Sequence, residues 1–251
     1  MLMNNQYFGS HIIQIDRVSS TNNYAAKLLN QTKIPFGAVI MAQFQDDGRG
    51  QRGAVWQSKS GENLLFSTIL EGILMKGCPP FYLSKCVAIS IKDALSYFVK
   101  QKIHLKWPND VLVERRKIAG VLIENQWKGN NLFSSIIGVG LNVNQTHFEY
   151  GLDATSMKLL SANNYDLKEV LQVLCTKLNF NFNRLLSKEY SDLQQDYLSS
   201  LYKYNEKTHF KIGDKLEEVV LKDVNENGMV SLEMLGGKIK EYDFSQARQI
   251  I

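Results

Sequence analysis

Between residues 45 and 71 the chain carries Gln-Asp-Asp-Gly-Arg-Gly-Gln-Arg-Gly-Ala-Val-Trp, then a polar stretch, then an apolar run from Leu64. Three glycines (Gly48, Gly50, Gly53) alternate with two arginines (Arg49, Arg52). Glycines let a backbone approach a ligand and expose its N–H groups. Arginines supply forked donors matched to carboxylate and phosphate. The combination suits a loop that folds around an anion; taken alone it also reads as a solvated basic hairpin loop. Gly48-x-Gly50-x-x-Gly53 matches the dinucleotide fingerprint by spacing, but that motif opens a helix. Here residues 58–63 are turn-like and lead into a strand pattern. With Val55 the glycines also match a kinase loop, yet the chain has neither H-R-D nor D-F-G, and no Walker pattern.

Two further stretches hold chemistry. Lys106-Trp107-Pro108-Asn109-Asp110 precedes Arg116-Lys117-Ile118-Ala119-Gly120-Val121-Leu122-Ile123-Glu124. A lysine closing an apolar strand can place one positive charge inside a site, and Ala119-Gly120 is small enough for a ligand to lie along it. The competing reading is a surface lysine beside a structural Trp-Pro turn. Gly138-Val139-Gly140-Leu141-Asn142 puts glycines inside a strand, which often marks close approach of a ligand or backbone. The Asn142 amide offers a donor and an acceptor, suited to a purine edge; a glycine-kinked strand with a turn asparagine is the alternative. Ser20-Thr21-Asn22 reads as a helix cap. Asp46-Asp47 before glycine reads as a solvated turn rather than a metal site.

The elements that must position these residues follow from periodicity. Strand patterns occupy 11–18, 38–44, 64–70, 104–107, 111–114, 119–124 and 132–143, with Arg115-Arg116-Lys117 as a tight charged turn. Residues 23–29 form a short helix after the cap. Leu83, Val87, Ile91, Ala94, Leu95 and Phe98 predict a long helix over 81–99. Residues 166–201 are helical again, through Leu167, Val170, Leu171, Leu174, Leu178 and Phe182. A polar linker at 202–207 precedes short strands punctuated by Gly213, Gly228 and Gly236-Gly237. The expected architecture is α+β: a mixed β-sheet domain packed with helices (1–203), then a small C-terminal β-barrel (204–251). Edge strands near 132–143 could pair two copies in a homodimer, which the sequence leaves open.

At 251 residues, 44% hydrophobic and 22% charged, the chain has ordinary globular composition. A net charge of +4 is too weak to point to nucleic acid. Three scattered cysteines and four distant histidines predict neither a disulfide framework nor a zinc site, and no metal ligand set is assigned. The N-terminus lacks a leader pattern, and no apolar run reaches membrane-spanning length. A cytoplasmic protein with no membrane partner is expected.

In order, Gln45-x-x-Gly48-Arg49-Gly50-x-Arg52-Gly53-x-x-Trp56, Lys106-Trp107-Pro108-Asn109-Asp110, Lys117-x-Ala119-Gly120 and Gly138-x-Gly140-x-Asn142 resemble biotin–protein ligases, in detail over 11–160. Ser20-Thr21-Asn22 and Ala154-Thr155-Ser156 sit where that family has similar stretches. The resemblance implies that biotin and ATP form biotinyl-5′-AMP, and that a lysine of the biotin carboxyl carrier protein of acetyl-CoA carboxylase, or a related carboxylase, then takes the biotin. It implies an SH3-like C-terminal barrel and Mg2+ on the triphosphate. Ser20, Thr21, Asn22 and Gln45 would bind the biotin head group; Gly48, Arg49, Gly50 and Gln51 would close over biotin, and Gly120 would lie along it. Lys106 would sit at the carboxylate and phosphate and, with Arg49, serve catalysis. Arg49, Arg52, Trp56, Lys106, Lys117 and Asn142 would bind ATP or the adenylate, with Trp56 stacking on adenine.

Many family members carry arginine where Gln51 stands, and often a second basic residue near Ala54, so the phosphate contacts are expected to be rearranged. The first strand begins about ten residues in, so the resemblance is to the monofunctional type, without a helix-turn-helix domain and without specific DNA binding. A lipoate–protein ligase would carry Arg-Arg-x-Ser-Gly-Gly-Gly, absent here. A non-enzymatic biotin-binding module remains the other reading; it would bind ligand without releasing pyrophosphate.

Overall fold

The computed structural model describes residues 7–31, 34–149 and 151–251; the first six residues, on which the leader reading partly rested, lie outside them. Alternating side chains set the layers. In β2 (Val39–Gln45), Val39 and Met41 join a large core on one face, while Ile40 joins Ala25, Ile69 and Ile136 on the other. The first sheet continues through β1 (Ile12–Val18), β3 (Leu64–Glu71), β4 (Ile103–Lys106), β5 (Asp110–Val113), β6 (Arg116–Lys128) and β7 (Asn131–Leu141). Its order is β1-β2-β3-β7-β6-β5-β4. Only the β1–β2 pair is parallel, so the sheet is mixed, as expected.

Helix α1 (Thr21–Gln31) covers one face through Ala25. The other face is covered by α2 (Tyr82–Phe98) and α4 (Leu167–Leu186), with the short α3 (Met157–Ser161) preceding α4 and α5 (Tyr190–Ser200) following it. The apolar positions read from the sequence face inward: Leu83, Val87, Ile91 and Leu95 on α2, and Val170, Leu174, Leu178 and Phe182 on α4, are all buried.

Three expectations are corrected. β7 lies fourth of seven strands, so residues 132–143 do not form the expected edge; β1 and β4 are the edges. The 166–201 helix is two helices: Lys188 takes a positive φ of 60°, which ends the first. Arg116 and Lys117 open β6, and the turn falls on Glu114 and Arg115 instead. At the first helix, Thr21 and Asn22 already lie in α1, and the Ser20 carbonyl accepts from Tyr24 N at 3.0 Å.

A second, antiparallel sheet holds β8 (Lys207–Ile212), β9 (Lys215–Val224), β10 (Val230–Glu233), β11 (Ile239–Tyr242) and β12 (Ala247–Ile250), ordered β11-β10-β9-β8-β12, consistent with an SH3-like module. It docks beside the end of β4. Trp107, 1% exposed, packs on Phe210 and donates its indole N–H to Gly228 O at 2.9 Å. Lys85 on α2, fully buried, donates to the carbonyls of Val224 (2.9 Å) and Asn225 and to Gln194 Oε1. Among the described residues no helix is long and apolar enough to cross a membrane.

Candidate active site

The α1 face of the sheet holds a cavity of about 580 Å³, within the roughly 300–1,000 Å³ usual for small-molecule sites. Its floor is read directly from β7. Ile136, Gly138 and Gly140 share one face: Ile136 lies under α1, Gly138 under Asn22 and Gly140 under Trp56. A Cβ at Gly140 would overlap the indole, and one at Gly120 on the neighbouring strand would come within 3.1 Å of it. These glycines are needed because ring and backbone approach so closely.

The glycine–arginine segment is a small hairpin folded over this floor. Trp56 N donates to Gly48 O at 2.8 Å and Gly50 N to Ala54 O at 2.6 Å, with Arg49 bridged to Val55. Arg52 (φ 58°) and Gly53 (φ 75°) turn the tip. There the Arg52 guanidinium sits 5.1 Å over the ring of Phe244, from the C-terminal module.

One end of the cavity is polar and uncharged. Ser20, Thr21, Asn22 and Gln45 line it. Gln45 Oε1 accepts from Thr21 N at 2.8 Å and from Thr21 Oγ1 at 3.1 Å. Ser67, buried beneath, lies 2.7 Å from Thr21 Oγ1 and 2.6 Å from Asn22 Oδ1.

The other end is cationic. Register places Lys106 opposite Asp110, Asp110 opposite Gly120, and Gly120 opposite Gly140. Burial pulls the Lys106 amine below the usual lysine range; Asp110 partly restores it, while Arg248 and Lys117 push it further down. Lys117 pairs with Asp110 at 2.5 Å and lies 5.4 Å over the Trp56 ring. Residues 153–155 run beside Lys117, whose N–H donates to Asp153 O at 2.8 Å. Four basic side chains (Arg52, Lys106, Lys117, Arg248) line this end of the cavity against one carboxylate, Asp110, while a fifth, Arg49, lies toward the other end, paired with Glu124. The chain's modest positive excess is thus concentrated here.

Most of the residues singled out in the sequence therefore line one cavity: Ser20, Thr21, Asn22, Gln45, Arg49, Gly50, Gln51, Arg52, Trp56, Lys106, Lys117 and Gly120. Gly48 is buried behind the hairpin, and Asn142 stands behind the wall, donating to Thr155 O at 3.0 Å. Its Oδ1 and the Trp56 indole N–H are buried without a hydrogen-bond partner among the described residues. Arg49 is separated from Lys106: its guanidinium reaches Glu124 Oε1 (2.8 Å) and Asn23 Oδ1 (2.7 Å). Phe244, Ala247 and Arg248 also line the cavity and were not anticipated. No local pattern marks them, because the second sheet brings them there. Glu124 was legible in principle, sharing a strand face with Gly120 and Leu122.

The family model for the biotin/lipoate A/B protein ligase family matches residues 14–142. The chain is 33% identical over 179 residues to the bifunctional ligase/repressor BirA of Bacillus subtilis, covering 68% of this chain and 54% of that protein. It is 30% identical over 155 residues to the biotin–[acetyl-CoA-carboxylase] ligase of Mycobacterium tuberculosis, covering 59% and 56%. The chain spans about half the length of these relatives. The structure resembles the biotin protein ligase of Aquifex aeolicus in complex with biotin and ATP, with a TM-score of 0.80 and 25% identity, over 96% of this chain and all of that one.

Proposed function

We infer the function from one premise: the chain belongs to the biotin/lipoate A/B protein ligase family. We propose a biotin–protein ligase. The observation that carries this reading is the polarity of the cavity, uncharged hydroxyls and amides at one end and a cationic cluster at the other, joined by a glycine floor under Trp56. A ureido ring offers donors and an acceptor to Ser20, Thr21, Asn22 and Gln45, while a valerate carboxylate lies toward Lys106. A dithiolane would leave those polar groups unmatched, which disfavours lipoate.

In the first step a biotin carboxylate oxygen attacks the α-phosphorus of ATP and pyrophosphate leaves. Two anions must meet, so fixed cations lower the barrier. Lys106 holds both carboxylate and α-phosphate; Lys117 and Arg52 hold the phosphates; Arg49 with Gly48, Gly50 and Gln51 closes over biotin, and Gly120 lies under the ligand. Trp56 stacks on adenine, and Asn142, behind the wall, takes the adenine amino group on its unpartnered Oδ1 once the wall shifts to admit the base. In the second step a carrier lysine amine attacks the acyl carbon and AMP leaves. No nucleophile of the enzyme is required. Mg2+ would enter with the ATP phosphates as part of the substrate; Asp110, paired with Lys117, is the one carboxylate among the described residues that line the cavity.

The carrier is the biotin domain of acetyl-CoA carboxylase or a related carboxylase. A cytoplasmic location is part of this proposal, supported by the three free cysteines, which a reducing compartment keeps unpaired. We divide the chain at 203/204, assigning chemistry mainly to 1–203, with Arg248 contributed from 204–251. The test is mass spectrometry of the chain with biotin, ATP and magnesium, with lipoate in parallel. Biotinyl-AMP and pyrophosphate are expected. An adenylate from lipoate but not biotin reverses the assignment, and binding of biotin without pyrophosphate release supports a binding module instead.

A further inference from the structure

Glu124 is one carboxylate between two parts of the site. Its Oε2 accepts from Asn22 Nδ2 at 2.8 Å, and its Oε1 accepts from Arg49 Nη2 at 2.8 Å. The first partner is buried in the polar end of the cavity; the second is the hairpin's own cation. We propose that Glu124 is a positioning residue that sets the head-group pocket and fastens the hairpin to it, resting on the ligase reading of the cavity.

Two physical points carry this. A carboxylate accepts hydrogen bonds and cannot donate them. Glu124, with the more distant Leu122 carbonyl at 3.3 Å, therefore holds the Asn22 NH2 toward β6 and leaves Oδ1 on Ser67. That choice decides which donors and acceptors the pocket presents. The second point is distance. Glu124 lies opposite Ile136, whereas Gly120 lies in the row of Lys106, Asp110 and Gly140. Four residues of strand span about 13 Å. Arg49 is thereby anchored at the head-group end, a ligand's length from the reacting phosphate, and acts as a latch rather than a phosphate clamp. Asn23 Oδ1 supports the same guanidinium.

The experiment compares the wild-type chain with Glu124→Gln, Glu124→Asp, Arg49→Ala and the Glu124→Gln/Arg49→Ala double variant. Chymotryptic cleavage at Trp56 without ligand reports the hairpin; biotin-dependent pyrophosphate exchange reports KM and kcat. Glu124→Gln should speed cleavage about fivefold, the most expected of a half-exposed ion pair, and less than about twofold on top of Arg49→Ala. It should raise KM for biotin about tenfold with kcat little changed, and Glu124→Asp, which keeps an acceptor-only group, should recover most of that loss. Cleavage effects that multiply fully in the double variant overturn the latch. An unchanged KM, or equal losses in the Asp and Gln variants, overturns the pocket role. Exchange absent from the wild type itself refutes the ligase reading, and the cleavage series, which needs no substrate, then decides the latch alone.

Discussion

Lys106→Ala removes the one proposed charge that both reacting anions share. The amine is half-buried at the end of β4. At about 3 Å from an anionic oxygen, with an effective dielectric near 20, one unit charge contributes roughly 5–6 kcal/mol before compensation. Lys117, Arg248 and entering water offset part of this, so about 3–4 kcal/mol should be lost, a slowing on the order of 10²–10³. Biotin-dependent ATP–pyrophosphate exchange measures it, with a thermal melt to show that the fold is retained. pH supplies a second signature. Burial holds the folded Lys106 amine below its unfolded value, so the working, charged form is lost as pH rises through that lowered value, earlier than for an exposed lysine. Lys106→Arg should be slower, because a fork cannot replace a point charge without displacement, and should lose the alkaline limb. Lys106→Ala turnover within threefold of wild type, or an alkaline limb unchanged in Lys106→Arg, would refute the assignment.

Gly140→Ala should drive Trp56 off the floor, since the new Cβ meets the indole; KM for ATP should rise at least about tenfold and KM for biotin much less, overpacking costing on the order of 1–3 kcal/mol. An unchanged KM for ATP would show that Trp56 does not hold the base. Lys85 is pulled down to about 8 by burial, with Asp223 and Glu226 opposing. Between that value and 10.5 the unfolded chain carries a proton that the folded chain has released, so stability rises with pH there. From pH 7 to 9.5 the wild type should gain up to about 2 kcal/mol relative to Lys85→Met in urea midpoints; a constant difference would contradict it. Trypsin should cut first after the exposed Arg52 at the hairpin tip, and biotin plus ATP should suppress that cut severalfold, because a lid orders on its ligand. Equal rates with and without ligand would mean that the site is preformed.

Strand and helix periodicities located nearly every element of the first sheet and its helices, because alternation and the 3.6-residue repeat are local consequences of burying one face. Residue type also singled out the lysine after an apolar strand and the glycines of the floor, whereas Ser20, Thr21 and Asn22 read by type as a helix cap and, with Gln45, were tied to a head group only by the family resemblance. What stayed hidden depends on distance along the chain. Position 132–143 reads like any strand, and only pairing with β3 and β6 makes it central rather than an edge. Lys188 breaks the long helix with a left-handed φ, and the chain resumes as a second helix packed on α2 and β4. Arg49 and Glu124 lie 75 residues apart and meet because α1, the hairpin and β6 converge. Phe244 and Arg248 reach the cavity only when the second sheet docks on Trp107 and Lys85. Local sequence determines which residues can form an element and which chemistry they carry. Which of them share a cavity is decided by long-range packing, since burying the apolar faces together fixes where the polar ends come to stand.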